Sequence, residues 1–227
     1  MPPCSSIMAD RFLQACRAIE LSPENGAAEL AELRKKLPSR QARRMSPLGI
    51  LLTEVLSGFP LNRDTVLFYV TTFTESLALE AYLGSFPHPS PTHFQTSIHP
   101  GGIEQALILK QQPITALYPM AGGKAILSQA FHLACQEGRP EVLVVAGEEA
   151  GTWLADMGAA SRQSFAWALH FNRQPENTLA TLSFRPAAEA NPPADRSPSL
   201  HDFARQLESR TDLAWNGPSG HFSWQWK

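Results

Sequence analysis

The chain has 227 residues, of which 43% are hydrophobic and 18% charged, and its net charge is −2. This composition excludes a chain that is disordered throughout, and the length is sufficient to bury a sizeable core. The charge balance gives no electrostatic case for a nucleic acid partner, and no apolar run reaches the roughly 18 residues that a membrane span needs.

The N-terminal part, residues 1–39, is predicted to be a helical extension. Met8–Leu21 and Glu24–Leu37 are both predicted helices, and leucines recur at helical spacing in the second. Ser22 is the expected N-cap of that second helix, with Pro23 at its first position. A third helix, Leu48–Leu56, follows Ser-Pro and ends before Gly and Pro.

The next part of the chain alternates between strands and helices. Thr65–Phe73 is rich in β-branched and aromatic residues, which is typical of a strand covered on both faces. Glu75–Leu83 and Gly101–Gln112 are predicted helices. Between them, the proline-rich segment Phe86–Phe94 is expected to be a loop without regular structure, and His93–Ile98 a short strand or extended piece.

The middle of the chain contains the most informative segment. Ile114–Pro119 is predicted to be a short buried strand, followed after a Gly-Gly turn by the amphipathic helix Gly122–Glu137. Glu141–Gly147 is another fully apolar strand. Ser164–Phe171 and Leu179–Phe184 alternate more and predict a hairpin, or two neighbouring strands, towards a sheet edge.

The last part of the chain combines a linker, a helix and an aromatic tail. Residues 187–198 are a Pro/Ala-rich linker, and Ser199–Arg210 is predicted to be an amphipathic helix within a C-terminal unit, residues 199–227, that packs on the main domain. In the tail, Phe222, Trp224 and Trp226 alternate with polar residues and therefore share one face of a strand. These rings either cover the core of the sheet or form a partner interface.

The alternation of strands and helices predicts an α/β domain over residues 40–186. We expect a single α-β-α layered domain with a mostly parallel, mixed sheet. Three cysteines without a CxxC spacing or a disulfide framework, and an N-terminus without a secretory signal pattern, predict a cytoplasmic protein.

A strand-to-helix turn is where many α/β enzymes carry their nucleophile, because the turn exposes one side chain beside free helix N–H groups. In this chain the residue at that turn is Met120, followed by Ala121, Gly122 and Gly123. A thioether has no proton to lose, so it cannot serve as the nucleophile of covalent catalysis. The segment therefore indicates a non-catalytic relative of an enzyme.

Other candidate sites are weaker. A phosphate-binding loop around Lys124 fails at two positions, since Tyr118 replaces the first Gly and Ala125 the Mg²⁺-binding hydroxyl. Cys135 lies near the C-terminal end of a helix, which disfavours a reactive thiolate. The remaining polar groups are three histidines without a ligand-like spacing and an acidic pair that is either a site or a solvated loop, namely His88, His93, His99, Glu148 and Glu149. We expect no metal and no cofactor.

The order of five segments resembles the N-terminal half of the β-ketoacyl synthases, and more closely the short β-ketoacyl synthase chain length factors. The segments are ARRMSPLGILL, LFYVTTF, SPTHFQTSIHPGG, ITALYPMAGGKAILSQAFHLACQEG and EVLVVAGEE. The resemblance covers about residues 40–184 and implies half of a thiolase-like fold. Such proteins are often encoded with acyl carrier proteins in clusters for aryl polyene or xanthomonadin-type pigments.

The resemblance places Met120 at the nucleophilic cysteine of the family and Gly123 at its turn glycine. Two features depart from the family: the histidines of a C-terminal half do not follow, and helix-like Met8–Leu37 replaces the usual first strand. The resemblance thus implies an accessory subunit of the chain-length-factor type in type II fatty acid or polyketide synthesis. The alternatives are an acyltransferase-like enzyme that uses Ser128 or Cys135, and a simple binder of acyl chains or acyl carrier protein.

The implied partner is a ketosynthase-like subunit in a homo- or heterodimer, and an acyl carrier protein is a second candidate. In full ketosynthases the strand before the nucleophile lies at the dimer interface. The residues expected at an interface are therefore Ile114, Ala116, Tyr118, Trp224 and Trp226. A basic group is the candidate contact for an acidic carrier protein, although such a group is commonly only a solvated face, and it consists of Arg40, Arg43 and Arg44.

Overall fold

The computed structural model describes residues 9–187 and 194–227. Within these ranges the chain forms one sheet of eight strands, accompanied by nine helices. The strands are β1 (Ala9–Glu20), β2 (Val66–Thr71), β3 (Ala116–Ala121), β4 (Val142–Glu148), β5 (Phe165–Asn172), β6 (Ala180–Pro186), β7 (Leu213–Gly217) and β8 (Gly220–Trp226). The helices are α1 (Gly26–Lys35), α2 (Ser39–Ala42), α3 (Pro47–Leu56), α4 (Ser76–Leu83), α5 (Pro91–Ser97), α6 (Gly101–Lys110), α7 (Ile126–Gln136), α8 (Trp153–Asp156) and α9 (Leu200–Ser209).

The sheet is mixed, as predicted, and its strand order is β3-β2-β4-β5-β1-β6-β8-β7. Strand β2 runs parallel to both β3 and β4, but the other five of the seven neighbouring pairs are antiparallel. The parallel part is therefore smaller than the sequence suggested. The expected pairing of β5 with β6 is wrong, because β1 lies between them and pairs with both.

The N-terminal segment is the largest difference from the sequence-based expectation. Met8–Leu21 was predicted as a helix, but residues 9–20 form β1 at the centre of the antiparallel part of the sheet, with Leu13 fully buried. Hydrogen bonds to β5 on one side and β6 on the other override the helix propensity of its Ala, Leu, Gln and Arg residues. The expected absence of a first strand is therefore wrong, because residues 9–20 of the predicted helical extension are a strand of the sheet.

Helix starts follow the expected chemistry at some positions only. Ser46 caps α3, since its Oγ accepts a hydrogen bond from Gly49 N at 3.0 Å. Ser22 does not cap α1, which begins at Gly26; its Oγ instead accepts from Asn25 N. The expected loop and extended piece at residues 86–98 are wrong from Pro91 onwards, where α5 begins, because proline is well tolerated at the first helical position.

Two hydrophobic cores lie on opposite faces of the sheet, which makes the domain a three-layer α/β/α structure. Helices α1, α3 and α6 cover one face, and helices α7 and α9 cover the other. Strand residues alternate between the two cores, so Phe68 and Val70 point to the α7 side while Leu67 and Tyr69 point to the α3 side. Beyond β1 only the α7 and α9 side is packed, and β6 and β8 alternate buried and more exposed residues.

In the described ranges, no helix combines the length and the apolar character required to cross a membrane. Part of the predicted linker, residues 188–193, lies outside the described residues. Residues 199–227 form α9, β7 and β8, which complete the sheet as well as covering it.

Candidate functional site

The strand-to-helix connection at Met120 is longer than a tight turn. Strand β3 continues to Ala121, Gly122 N donates a 3.1 Å hydrogen bond to Thr71 O, and α7 begins only at Ile126. A Cβ atom added to Gly123 would meet nothing within 4 Å, and neither Gly122 nor Gly123 adopts a positive φ. The two glycines are therefore not required by backbone conformation or by close packing.

Met120 is half-buried and packs against the core on the α7 side of the sheet. The sequence places Met120 at the turn itself, but in the structure it pairs with Val70 inside β3 and is the second-last residue of that strand. The connection to α7 begins after Ala121. Ala121 and Gly123 are exposed, and Lys124 beyond them is exposed as well.

Strand β3 is one of the two edge strands of the sheet, and the expectation that it is buried is wrong. Among the residues that the structure describes it pairs only with β2, and the Tyr118 residue is 46% exposed, with its ring stacked on Phe68 at 5.1 Å. Ile114 and Ala116 are half-buried against the two cores. One side of β3 therefore presents unpaired backbone groups along its length.

The aromatic tail covers the core of its own chain. Trp224 is only 1% exposed and stacks on Phe131 at 6.1 Å, so its burial leaves no surface to a partner. Trp226 is half-buried beside Trp224, with the Arg210 guanidinium 5.6 Å above its ring. The expectation that Trp224 lies at an interface is therefore wrong. Of the two tryptophans considered, only Trp226 keeps an accessible surface.

Both alternative nucleophiles lie on the buried face of α7. Ser128 is fully buried; its Oγ accepts from Trp215 Nε1 at 2.8 Å and is 2.5 Å from Ser197 Oγ. Burial raises the pKa of the Cys135 thiol to about 12. Because a reactive serine needs a base and a reactive cysteine needs a thiolate, neither environment supports covalent acyl transfer.

Buried glutamates collect at the carboxyl ends of β2 and β4, where the sequence left the Glu148–Glu149 pair open. Both are almost fully buried, so they are not solvated loop charges. Glu149 accepts hydrogen bonds from the backbone N–H groups of Leu77, Ala78 and Leu48, and Glu148 accepts from those of Thr72 and Phe73. Desolvation raises the pKa of each carboxyl to about 7, although these hydrogen bonds oppose the shift.

Two further carboxylates extend this group. Glu75 accepts from Gly102 N at the start of α6 and lies 3.3 Å from His99 Nδ1, while Glu80 accepts from Thr152 N and Leu154 N at the start of α8. The apolar strands before these glutamates gave no sign that the carboxylates would be buried. The hydrogen bonds of this cluster hold helix starts and loops in place. In the described residues, no group of three His, Cys, Asp or Glu is placed to hold a metal ion.

The basic residues proposed for a carrier-protein contact are all exposed. Arg43 and Arg44 line a cavity of about 300 Å³, and Arg40 lies on α2 beside it. They belong to a longer run in which residues 34–44 include six Lys or Arg and no acidic residue. Across the described ranges, no carboxylate pairs with Arg40, Arg43 or Arg44.

The sequence also matches a known family. A family model described as β-ketoacyl synthase, N-terminal domain, matches residues 18–227. The chain belongs to this family. No curated protein matches the chain in sequence.

The fold of this β-ketoacyl synthase N-terminal domain protein occurs in solved structures. It is similar, with a TM-score of 0.65 and 16% identity, to a chain in the structure described as ketosynthase (ApeO) in complex with its chain length factor (ApeC) from Xenorhabdus doucetiae. The match covers 95% of this chain and 99% of that one, and it confirms the thiolase-like fold. A ketosynthase from module 6 of the bacillaene synthase of Bacillus subtilis matches with a TM-score of 0.47 and 11% identity, over 87% of this chain and 43% of that one.

Proposed function

We propose that this chain is a non-catalytic, ketosynthase-like accessory subunit of the chain-length-factor type. It pairs with a ketosynthase-like subunit in type II fatty acid or polyketide synthesis, of the kind that makes aryl polyenes. The observation that carries the proposal is Met120, a residue without an ionisable proton, at the end of β3 where the strand leads into α7.

The edge of β3 supports the pairing. An unpaired edge strand with an exposed aromatic side chain is a template for strand addition by another chain. β3 has both features, since it pairs with β2 alone and Tyr118 is 46% exposed. The structure of the ApeO ketosynthase with its chain length factor ApeC, which contains a chain of this fold, supports a ketosynthase as the partner.

A carrier-protein contact is a second element of the proposal. The exposed cations between residues 34 and 44 favour a partner with an acidic surface, because complementary charge accelerates encounter and fixes orientation. Arg40, Arg43 and Arg44 are the residues that we assign to this contact. The acyltransferase alternative has less support, since Ser128 and Cys135 are both buried.

The proposal is tested by co-expressing this chain with a candidate ketosynthase and measuring complex formation and product chain length. We expect a stable heterodimer, and Tyr118→Lys should weaken the complex at least about tenfold because it places a charge on the paired edge. Leu179→Lys is the matched control: Leu179 is 36% exposed just before β6, far from β3 in the sheet order, and the change should leave the complex intact.

A chain that stays monomeric with every candidate ketosynthase and does not change the product length would disprove the proposal. Equal effects of Tyr118→Lys and Leu179→Lys on the complex would instead exclude β3 as the contact surface.

A further inference from the structure

A cavity of about 300 Å³ lies between three structural elements on the α4 side of the domain. One wall is the segment from Arg43 to Pro47, which leads into α3. The second wall is α4, with Leu77, Ala78 and Ala81, and the third is α5, with Thr92 and Thr96. Two residues of the proposed carrier-protein contact, Arg43 and Arg44, border this space, and its volume is at the lower end of small-molecule sites, roughly 300–1,000 Å³.

Hydrogen bonds fix two of the walls of this cavity. One carboxylate, Glu149, accepts from Leu77 N at 2.8 Å and from Leu48 N at 3.2 Å, so it ties the start of α4 to the start of α3. Ser46 is fixed in turn, because its N–H donates to Gln105 Oε1 at 2.9 Å while its Oγ caps α3. The walls that these residues form are therefore preorganised, which lowers the entropic cost of binding a ligand.

The charge of the lining is positive. Arg43 and Arg44 border the cavity, and no acidic side chain lines it. Glu149 lies outside the lining; its oxygens accept hydrogen bonds from backbone N–H groups, and burial raises its pKa to about 7. In the described part of the chain, neither guanidinium pairs with a carboxylate, so both are available to an anion.

The rest of the lining is mainly apolar. Met45 is buried, and Pro47, Leu77, Ala78 and Ala81 contribute carbon atoms to the walls. A surface of this kind favours a ligand body without polar groups, while two arginines at its border favour a carboxylate. We propose that this cavity binds a small ligand that carries a carboxylate on a short apolar body. The proposal does not depend on the function proposed above.

The test is an NMR titration of the ¹⁵N-labelled full chain with octanoate, with 1-octanol and inorganic phosphate as separate arms. We expect octanoate to shift the amides of Ala78, Ala81, Thr92 and Thr96 with a dissociation constant of about 1 mM or tighter. Octanol and phosphate should each bind at least about tenfold more weakly, because octanol lacks the carboxylate and phosphate lacks the apolar body.

Variants test the arginines and the apolar cavity separately. Arg43→Gln with Arg44→Gln should weaken octanoate binding about tenfold, whereas Arg34→Gln with Arg40→Gln removes the same charge from the same basic run and should change it less than about twofold. Ala81→Phe fills the cavity without changing charge and should abolish binding.

Three results would overturn the proposal: octanol binding as tightly as octanoate, phosphate binding as tightly as octanoate, or octanoate shifts confined to residues outside the cavity. Phosphate binding of equal strength would mean nonspecific anion binding by the arginines. Since all three arms use the unaltered protein, a variant that fails to fold does not remove the test.

Discussion

The two ends of the sheet bury ionisable side chains of opposite sign. At the carboxyl ends of β2 and β4, glutamates such as Glu148 and Glu149 accept hydrogen bonds from backbone N–H groups. At the opposite end, before β4 begins, the fully buried Arg11 guanidinium donates to the carbonyl groups of Ala134, Glu137, Arg139 and Pro140. At each end the buried charge is balanced mainly by the backbone.

The two ends differ in whether their buried side chains stay charged at neutral pH. Helix starts present free N–H groups and helix ends present free carbonyls, so carboxylates suit one end and a cation suits the other. Burial lowers the pKa of Arg11 only to about 10, so it stays charged at neutral pH. Burial raises the pKa of Glu148 and Glu149 to about 7, so the acidic end titrates within the physiological range.

The largest expected effect comes from removing the charge at the basic end. Arg11→Met should lower the free energy of unfolding by about 3–5 kcal/mol, because it removes the side-chain donor from the carbonyl groups of Ala134, Arg139 and Pro140 at and beyond the end of α7. Urea denaturation followed by circular dichroism measures the loss.

Arg173→Met is the matched control for Arg11. Arg173 also donates to Glu137 O, at 2.6 Å, but its side chain is exposed. We expect a loss of only about 0.5 kcal/mol from this variant. A loss below about 1 kcal/mol for Arg11→Met would contradict the role of Arg11 in holding the end of α7.

The acidic end should make stability depend on pH. The folded-state pKa of Glu148 and Glu149 is raised from 4.5 to about 7, so the native state binds protons that the unfolded state has released. Their contribution is fully present below about pH 4.5 and is lost as the pH rises through 7, with an upper limit of about 3 kcal/mol for each carboxyl. Denaturation curves between pH 5 and pH 8 should therefore show falling stability.

Two substitutions sharpen this prediction. Glu148→Gln and Glu149→Gln each remove one titrating group, and each should flatten the pH dependence by about half. Stability that is constant or rises between pH 5 and pH 8 in the unaltered protein would rule out this assignment.

The smallest expected effect is chemical and does not involve stability. Cys135 lies next to the basic end, and with a pKa of about 12 its thiol is almost fully protonated at neutral pH. We expect no modification of Cys135 by iodoacetamide or by acyl thioesters at pH 7.5 in the native state, measured by mass spectrometry. Stoichiometric acylation that Cys135→Ala abolishes would favour the enzyme alternative.

The parallel part of the fold was largely predictable from sequence. The apolar runs that form β2 and β4 are covered on both faces, and such strands carry a strong signal. The antiparallel part was less predictable, because β1 has no clear alternation and its place between β5 and β6 is set by pairing with distant residues. Local pattern does not encode such pairing.

The candidate site was likewise predictable from sequence only in part. The order of a strand, a connection and a helix around Met120 follows from local pattern, but the exposure of β3 does not, because Ala116–Ala121 is as apolar as a central strand. Pro119 was the available signal, since proline within a strand indicates a sheet edge. Nothing local distinguished Arg11 or Glu149 from solvated charges, because their backbone partners lie far away in the chain.

The central position of β1 also constrains the order of events while the chain is being synthesised. Ala9 faces Phe184 and Glu20 faces Phe165, so β1 is made early but finds its neighbours only after most of the chain exists. Strands β3 and β4 do not need it, because each pairs with β2 and all three precede the C-terminal third of the chain. Since contacts between residues far apart in sequence form slowly, we expect the pairing of β1 with β5 and β6 to be a late step of folding.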